Sequence, residues 1–373
     1  MPHDTSSGLG GRHVFVTGHT GFKGSWLVQL LHSQAVRITG YSLPPPTTPS
    51  LFAAANLVEL VDTHIEADIR DGARLEAAIA AAHPDVVMHL AAQPLVRRSY
   101  RDPVETFSSN VVGTATLLDA VRRAGRPCVV LVITSDKCYE PHPQGLPHEE
   151  DDRLGGHDPY SASKAAAELV TASFRASYFP PGRLGDHGVQ VASVRAGNVI
   201  GGGDWADDRI ITDLVRHLAA GRPVPVRNPD SVRPWQHVLE PLAGYLALAT
   251  AMLSSPAARW CTGWNFGPSA EDDVTVRELV EAFIAAWGDG SWVDVHDPRS
   301  PAETPALRLA IAKAQESLPW YPRWTAATAV SRAALWYRSF QSDQSTARRL
   351  CQDDIAAYST LLRGTGRLPG TAP

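Results

Sequence analysis

The chain has 373 residues, 44% of them hydrophobic and 20% charged, with a formal net charge of −5. That balance belongs to a globular protein of one large domain, or a large domain with a smaller partner, and gives no basic footprint for nucleic acid. Cys128, Cys138, Cys261 and Cys351 form no Cys-x-x-Cys pair, the 14 histidines show no metal-ligand spacing, and no apolar run reaches bilayer length. The stretch from Met1 to Gly11 is small and polar, without a basic segment followed by an apolar core. The expectation is a cytoplasmic protein with no metal, nucleic-acid or membrane partner.

The first element, Arg12 to Thr17, is a short β-branched run that reads as a strand. It enters Gly18-His19-Thr20-Gly21-Phe22-Lys23-Gly24, and Ser25 to Leu31 follows with helical spacing. Strand, glycine turn and helix start let backbone approach a pyrophosphate and meet its charge with free N–H groups. Arg37 to Ser42 reads as a second strand, followed by the prolines at 44, 45 and 46. Its end, Tyr41-Ser42, carries neither the acid that grips ribose hydroxyls in NAD binding nor a following arginine that would favour NADP.

Farther along, His64 to Asp68 reads as a strand, Arg74 to His83 as a helix, and Asp85 to Leu90 as a buried strand running into Ala91-Ala92-Gln93. Pro103 to Ala124 has apolar residues at helical intervals, Cys128 to Ile133 is a strand, Pro159 to Phe179 a helix and Val189 to Val194 a strand. This alternation predicts an α/β fold, a Rossmann-type doubly wound parallel sheet. Ligands in such sheets bind beyond the carboxyl ends of strands. Gly18, Ala91, Ser135 and Asn198 all follow such ends and point to one site.

Beyond about residue 196 the texture changes to loops rich in glycine, arginine and tryptophan, with later helices such as Val274 to Trp287. The expected division is a dinucleotide-binding domain over 1–190 and a smaller α/β C-terminal substrate domain over 191–373, with about 236–262 returning to the first. Pro180 to Asp186 reads as a surface insertion, and the tail from Gly364 to Pro373 as disordered.

Tyr160 and Lys164 are four residues apart, on one face of their helix. A phenol is a poor base at neutral pH, and a fixed cation beside it favours the phenolate. Tyr160 is therefore a candidate acid/base for a sugar or alcohol hydroxyl, with Ser135 able to share the proton.

On these residues the chain resembles the extended short-chain dehydrogenase/reductases that act on nucleotide sugars, and among them the 4,6-dehydratases. The resemblance is carried by the Val16–Trp26, His89–Arg97, Thr134–Tyr139, Asp158–Lys164, Arg195–Trp205, Arg233–Val238 and Gly263–Pro268 segments. It implies NAD as cofactor, contacted by Gly18, Thr20, Gly21, Phe22, Lys23, Gly24, Asp68, Ile69, Ala91, Ala92, Gln93, Ser109, Thr134, Tyr160 and Lys164. Asn198, Arg209 and Arg233 become candidates for a nucleotide-sugar substrate. The segment Ser300 to Leu309 lacks the His-Glu-Ala-His-like stretch expected near the substrate, which leaves the sugar and base open.

The implied reaction is an internal redox elimination giving a 4-keto-6-deoxy sugar. Asp136 is the expected general acid toward the C6 oxygen, which needs a carboxyl that stays protonated in a closed site. Lys137 either takes the C5 proton as a neutral amine or stays charged and stabilises the enolate. As neighbours on a strand end the two side chains would point to opposite faces. The alternatives are a 4,6-dehydratase or 4-epimerase acting on a different nucleotide sugar, and a regulator that binds NAD without catalysis. Wide apolar faces on the 103–124 segment (Val111, Leu117, Leu118) and the 159–179 segment (Leu169, Val170, Phe174) suggest a homodimer, as the family builds from a four-helix bundle.

Overall fold

The computed structural model describes residues 8–142, 145–295 and 307–363. The segment 300–306 and the tail 364–373, both singled out in the sequence, lie outside the described residues. A seven-stranded sheet forms the centre. Its first six strands are β1 (His13–Thr17), β2 (Arg37–Ser42), β3 (Thr63–Glu66), β4 (Val86–His89), β5 (Cys128–Ile133) and β6 (Val189–Ala196). The seventh is Gly263–Phe266, and the spatial order is Gly263–Phe266, β6, β5, β4, β1, β2, β3, all parallel.

β1 and β5 are buried along their whole length, which is why they read as unbroken apolar runs. Val14 and Val16 face a core that includes Trp26 and Leu27 of the Phe22–His32 helix. Phe15, between them, faces the opposite layer with Leu75, Leu117 and Val121. The period of two thus divides one strand between two helical layers. β3 lies at the sheet edge, is mostly exposed, and stops at Glu66, two residues short of the expected Asp68.

The Pro103–Ala124 segment is continuous but not uniform. An α-turn (Pro103–Phe107) passes through a π-helical stretch (Ser108–Val112) into the Gly113–Ala124 helix. Leu117 and Leu118, expected on an outer face, are fully buried against the sheet. The exposed apolar side chains here are Val104, Phe107 and Val112, with Leu169 on the Pro159–Ser177 helix. Val170 and Phe174 lean on the core instead.

After β6 the chain alternates between the sheet and a smaller lobe. The Leu239–Ser254 helix and the Gly263–Phe266 strand complete the sheet layer. Val224–Val226 pairs with Trp292–Asp294, and Val232–Arg233 pairs antiparallel with Val274–Thr275. The segments around Gly201 and Arg233, expected as loops, contain short strands: Val199–Ile200 pairs with Gln236–His237. The Val276–Trp287 helix starts at Thr275, whose side chain and that of Glu278 form a capping box.

Candidate active site at the carboxyl ends of the strands

The strand order reverses between β1 and β4, and the glycine loop sits at that switch point. Gly18 has φ +74°, and a Cβ there would lie 2.6 Å from the Ala91 backbone nitrogen. A Cβ on Gly24 would lie 2.2 Å from the Gly18 carbonyl oxygen. Only glycine allows this approach of loop, helix and β4 end. The Phe22–His32 helix begins at Gly21 without a side-chain cap and has no acidic residue in its first turn. Its first N–H groups and the positive end of its dipole are therefore available to an anion.

Lys23 adds a cation to that helix start. Burial, then the nearby Lys164 and Arg209 cations, hold its ammonium down at about 8, against the pull of Asp136. The Thr20 hydroxyl meets Ser42 Oγ at 2.8 Å and donates to the Leu43 carbonyl at 2.9 Å, so the acid-free end of β2 is tied to the loop by hydroxyls. The carboxylate of Asp68 is engaged by Arg70, whose Nε lies 2.9 Å from Oδ1. Ile69 packs against Gly113, and Ser109 donates to Glu105 at 3.1 Å.

The loop after β4 is held from an unexpected direction. Asn110, in the π-helical stretch, accepts from the Gln93 backbone N–H at 2.8 Å and donates to the Ser163 hydroxyl at 2.8 Å. It connects Ala91, Ala92 and Gln93 to the helix that carries Tyr160 and Lys164. Sequence periodicity does not reveal this, since Asn110 has the spacing of any inward helical residue.

The Pro159–Ser177 helix starts where the sequence directs. Asp158 caps it by accepting from Ser161 N, and Pro159 occupies the first turn. Tyr160 and Lys164 are both buried, at 7% and 6% exposure. Lys164 Nζ donates to the Ile133 carbonyl at 3.3 Å, at the end of β5. Burial pushes its ammonium down to about 8.

The Tyr160 phenol is pulled in two directions. Burial raises its phenol to about 12, while a hydrogen bond with Ser135 and the charge of Arg209 pull the other way. In this buried setting desolvation outweighs the cations.

Ser135, Asp136 and Lys137 are not successive strand residues either. Asp136–Cys138 is a 3₁₀ turn with Ser135 as its cap, so the argument from opposite strand faces does not apply. Ser135 Oγ donates to Asp136 Oδ1 at 2.8 Å and accepts from Lys137 N at 3.2 Å. Asp136 is buried and Lys137 half-buried. Gly197 leaves room for the acid, because a Cβ there would lie 3.3 Å from Asp136 Oδ2.

Of the three substrate candidates, Arg209 reaches the catalytic group: its charge acts on Tyr160 and Lys23, and its buried Nε has no hydrogen-bond partner. Asn198 contributes its carbonyl to Gln236 N at 3.0 Å. Arg233 lies on the short strand beside Pro234, which packs near Gly197.

A glycine cradle at the switch point and a Ser-Tyr-Lys cluster at the end of β5 define a class. Residues 14–259 match the NAD dependent epimerase/dehydratase family, and the chain belongs to it. NAD is the cofactor, and the uncapped helix start, the glycines and the nearby cations fit a dinucleotide's pyrophosphate. The chain is 47% identical over 331 residues to a CDP-glucose 4,6-dehydratase of Salmonella typhimurium, covering 88% of this chain and 91% of that protein. It is 31% identical to a dTDP-glucose 4,6-dehydratase of Streptomyces antibioticus, covering 87% and 92%. A UDP-glucose 4-epimerase of Thermus thermophilus, solved with NAD, superposes with a TM-score of 0.72 at 25% identity, over 87% of this chain and 99% of that one.

Proposed function

We propose that the protein is a nucleotide-sugar 4,6-dehydratase that converts CDP-glucose to CDP-4-keto-6-deoxyglucose and water. The observation that carries the reading is a buried Asp136 that accepts from the Ser135 hydroxyl at 2.8 Å and lies near enough to Tyr160 for its charge to act on that phenol. An epimerase has no need of an acid for a leaving hydroxyl. The 47% identity to a CDP-glucose 4,6-dehydratase supports the same substrate and reaction.

Bound NAD would supply a reversible hydride acceptor and, when oxidised, a positive charge. The remaining demands fall on protein groups. Tyr160 takes the 4-hydroxyl proton, with Ser135 passing it along, and the Lys164 ammonium favours the phenolate. A 4-keto group acidifies the C5 hydrogen, and Lys137 stands beside Asp136 to receive that proton or to stabilise the enolate. Asp136 gives its proton to the departing C6 oxygen. Gly18, Gly21, Gly24 and Lys23 hold the pyrophosphate of the cofactor, and Arg209 with Arg233 that of the nucleotide sugar.

In this reading residues 1–190, with the returning 236–262 segment, hold the dinucleotide, and the rest closes over the sugar nucleotide. The enzyme works in the cytoplasm as a homodimer built on a four-helix bundle from the 103–124 and 159–177 segments of each subunit. The exposed Val104, Phe107, Val112 and Leu169 support that surface. The four cysteines are all free and buried, as suits a reducing compartment. Among the described residues no helix is long and apolar enough to cross a membrane. Incubation with CDP-, dTDP-, UDP- and GDP-hexoses, read by the alkali-induced absorbance of a 4-keto-6-deoxy product, tests the assignment. A product from CDP-glucose above all others supports it, and none from any of them removes it.

A further inference from the structure

Glu168 lies one helical turn beyond Lys164, buried at 3% exposure, and has no part in the proton transfers above. Its carboxylate accepts from Thr134 Oγ1 at 2.5 Å, Ser193 Oγ at 2.6 Å, and Arg195 Nε and Nη2 at 3.0 and 2.8 Å. Arg195 continues the connection, its Nη1 donating to the Tyr139 hydroxyl at 2.6 Å. Tyr139 in turn donates to Asn265 Oδ1 at 2.8 Å, which anchors the far end on the last strand of the sheet.

Thr134 and Tyr139 bracket Ser135 and Asp136. One carboxylate therefore holds both ends of the turn that carries Ser135 and Asp136, from the same helix that carries Tyr160 and Lys164. A buried ion pair is a poor source of stability, since desolvation offsets most of its attraction. Its worth here lies in fixed geometry. We infer that Glu168 is a positioning residue that locks the Ser135–Asp136 turn to the Tyr160–Lys164 helix, through Thr134 on one side and Arg195–Tyr139 on the other.

Two consequences distinguish this from a merely structural ion pair. Loosening the lock lets Ser135 drift from Tyr160, and a displacement of about 1 Å costs on the order of 100-fold in rate. Burial lowers the Lys164 ammonium, and Cys138 from the turn and Glu168 both pull it back up, while Lys164 in turn lowers Lys23 of the glycine-loop helix and His89 of β4. Burial pushes the Glu168 carboxyl up, but Arg195 and the hydroxyl donors outweigh it and keep the group ionised. Its negative charge favours the Lys164 ammonium.

The inference rests on the roles proposed for Ser135, Asp136 and Tyr160, and the test separates the two. Thr134→Val, Thr134→Ser and Glu168→Gln are compared with the wild type in kcat, KM, the pH profile of kcat and thermal melting. Thr134→Val keeps shape and loses the donor, so kcat should fall about tenfold with KM changed less than about twofold, and Thr134→Ser should recover most of that loss. Glu168→Gln should lower kcat by about 100-fold and move the alkaline limb to lower pH, because Lys164 loses a charge that favours its ammonium. Folded Thr134→Val and Glu168→Gln proteins with wild-type kcat and an unmoved alkaline limb would overturn the inference. So would equal losses in Thr134→Ser and Thr134→Val, which also decides the matter if Glu168→Gln does not fold. A wild type without dehydratase activity would instead remove the proposed function.

Discussion

The Ser135 hydroxyl donates to Asp136 Oδ1 across 2.8 Å, so the residue proposed to share the proton of Tyr160 also touches the proposed acid. Oxidation at C4 and loss of the C6 hydroxyl therefore draw on one connected set of groups. Asp136→Asn keeps an acceptor for Ser135 and loses the transferable proton. It should still oxidise C4 and then stall, with turnover lower by about 10²- to 10⁴-fold. Near-ultraviolet absorbance of a reduced nicotinamide should build up on the protein when substrate is added. No absorbance change, together with normal product formation, would remove Asp136 from the mechanism.

Tyr160→Phe removes only the hydroxyl from a ring that is buried at the site. Turnover should fall by about 10²- to 10⁴-fold while NAD affinity, measured by calorimetry, stays within a few fold. In the wild type, the Lys164 ammonium, pushed by burial down to about 8, should give kcat an alkaline decline near that pH. The decline should be absent from the residual activity of Lys164→Met.

The glycine loop can be tested without catalysis. Gly18 adopts φ +74° and a Cβ there would meet the Ala91 nitrogen at 2.6 Å, so Gly18→Ala strains the backbone and pushes the β4 end away. The cost to stability should be about 1–3 kcal/mol, and NAD binding should weaken at least tenfold as the cradle opens. Calorimetric affinity equal to wild type would show that the loop does not form the cradle.

Three buried histidines weaken the fold in acid, against an opposite contribution from the raised carboxyls of Glu240 and Asp354. Burial pushes His19, His89 and His237 down to about 3, so all are neutral in the folded chain. Below their unfolded value of about 6.5 the unfolded chain binds protons that the folded one does not. Stability should therefore be full above that pH and fall as pH drops toward 3, by up to about 1.4 kcal/mol per pH unit for each histidine. Urea midpoints at pH 7.5 and pH 5 check this, and equal midpoints would contradict it.

Much of the fold was legible because its signals are local. β1, Gly18 and the following helix are contiguous, and β5 was bounded correctly because six apolar residues run between turn signals. Tyr160 and Lys164 meet through helical spacing alone, and Asp158 with Pro159 marks their helix start. What stayed hidden depends on distant partners. Leu117 and Leu118 look like any apolar pair on a helix until the sheet shows which face is covered. The Val199–Ile200 and Gln236–His237 strands are two residues each and exist only because they pair across the chain. Glu168 sits one turn past Lys164, a spacing visible in the sequence, but its meaning comes from Thr134 and Arg195 on two neighbouring strand ends. The Thr134 hydroxyl and backbone N–H are engaged by Glu168 and the Val194 carbonyl, partners that no local pattern announces.

The exposed Val104, Phe107, Val112 and Leu169 should be covered in solution. Light scattering at micromolar concentration should give twice the 40.2 kDa chain mass. Val104→Glu combined with Leu169→Glu should shift the species to a monomer, since paired charges buried at such a surface would be costly. A monomeric wild type would contradict the bundle.

The fate of one hydrogen separates dehydration from epimerisation. CDP-glucose deuterated at C4 is turned over in ordinary water, and the product is analysed by NMR and mass spectrometry. Deuterium is expected in the C6 methyl group, with a solvent hydrogen at C5 because the C5 proton passes through an exchangeable base. Deuterium retained at C4, in a product that still carries its C6 hydroxyl, would contradict a dehydratase and establish epimerisation.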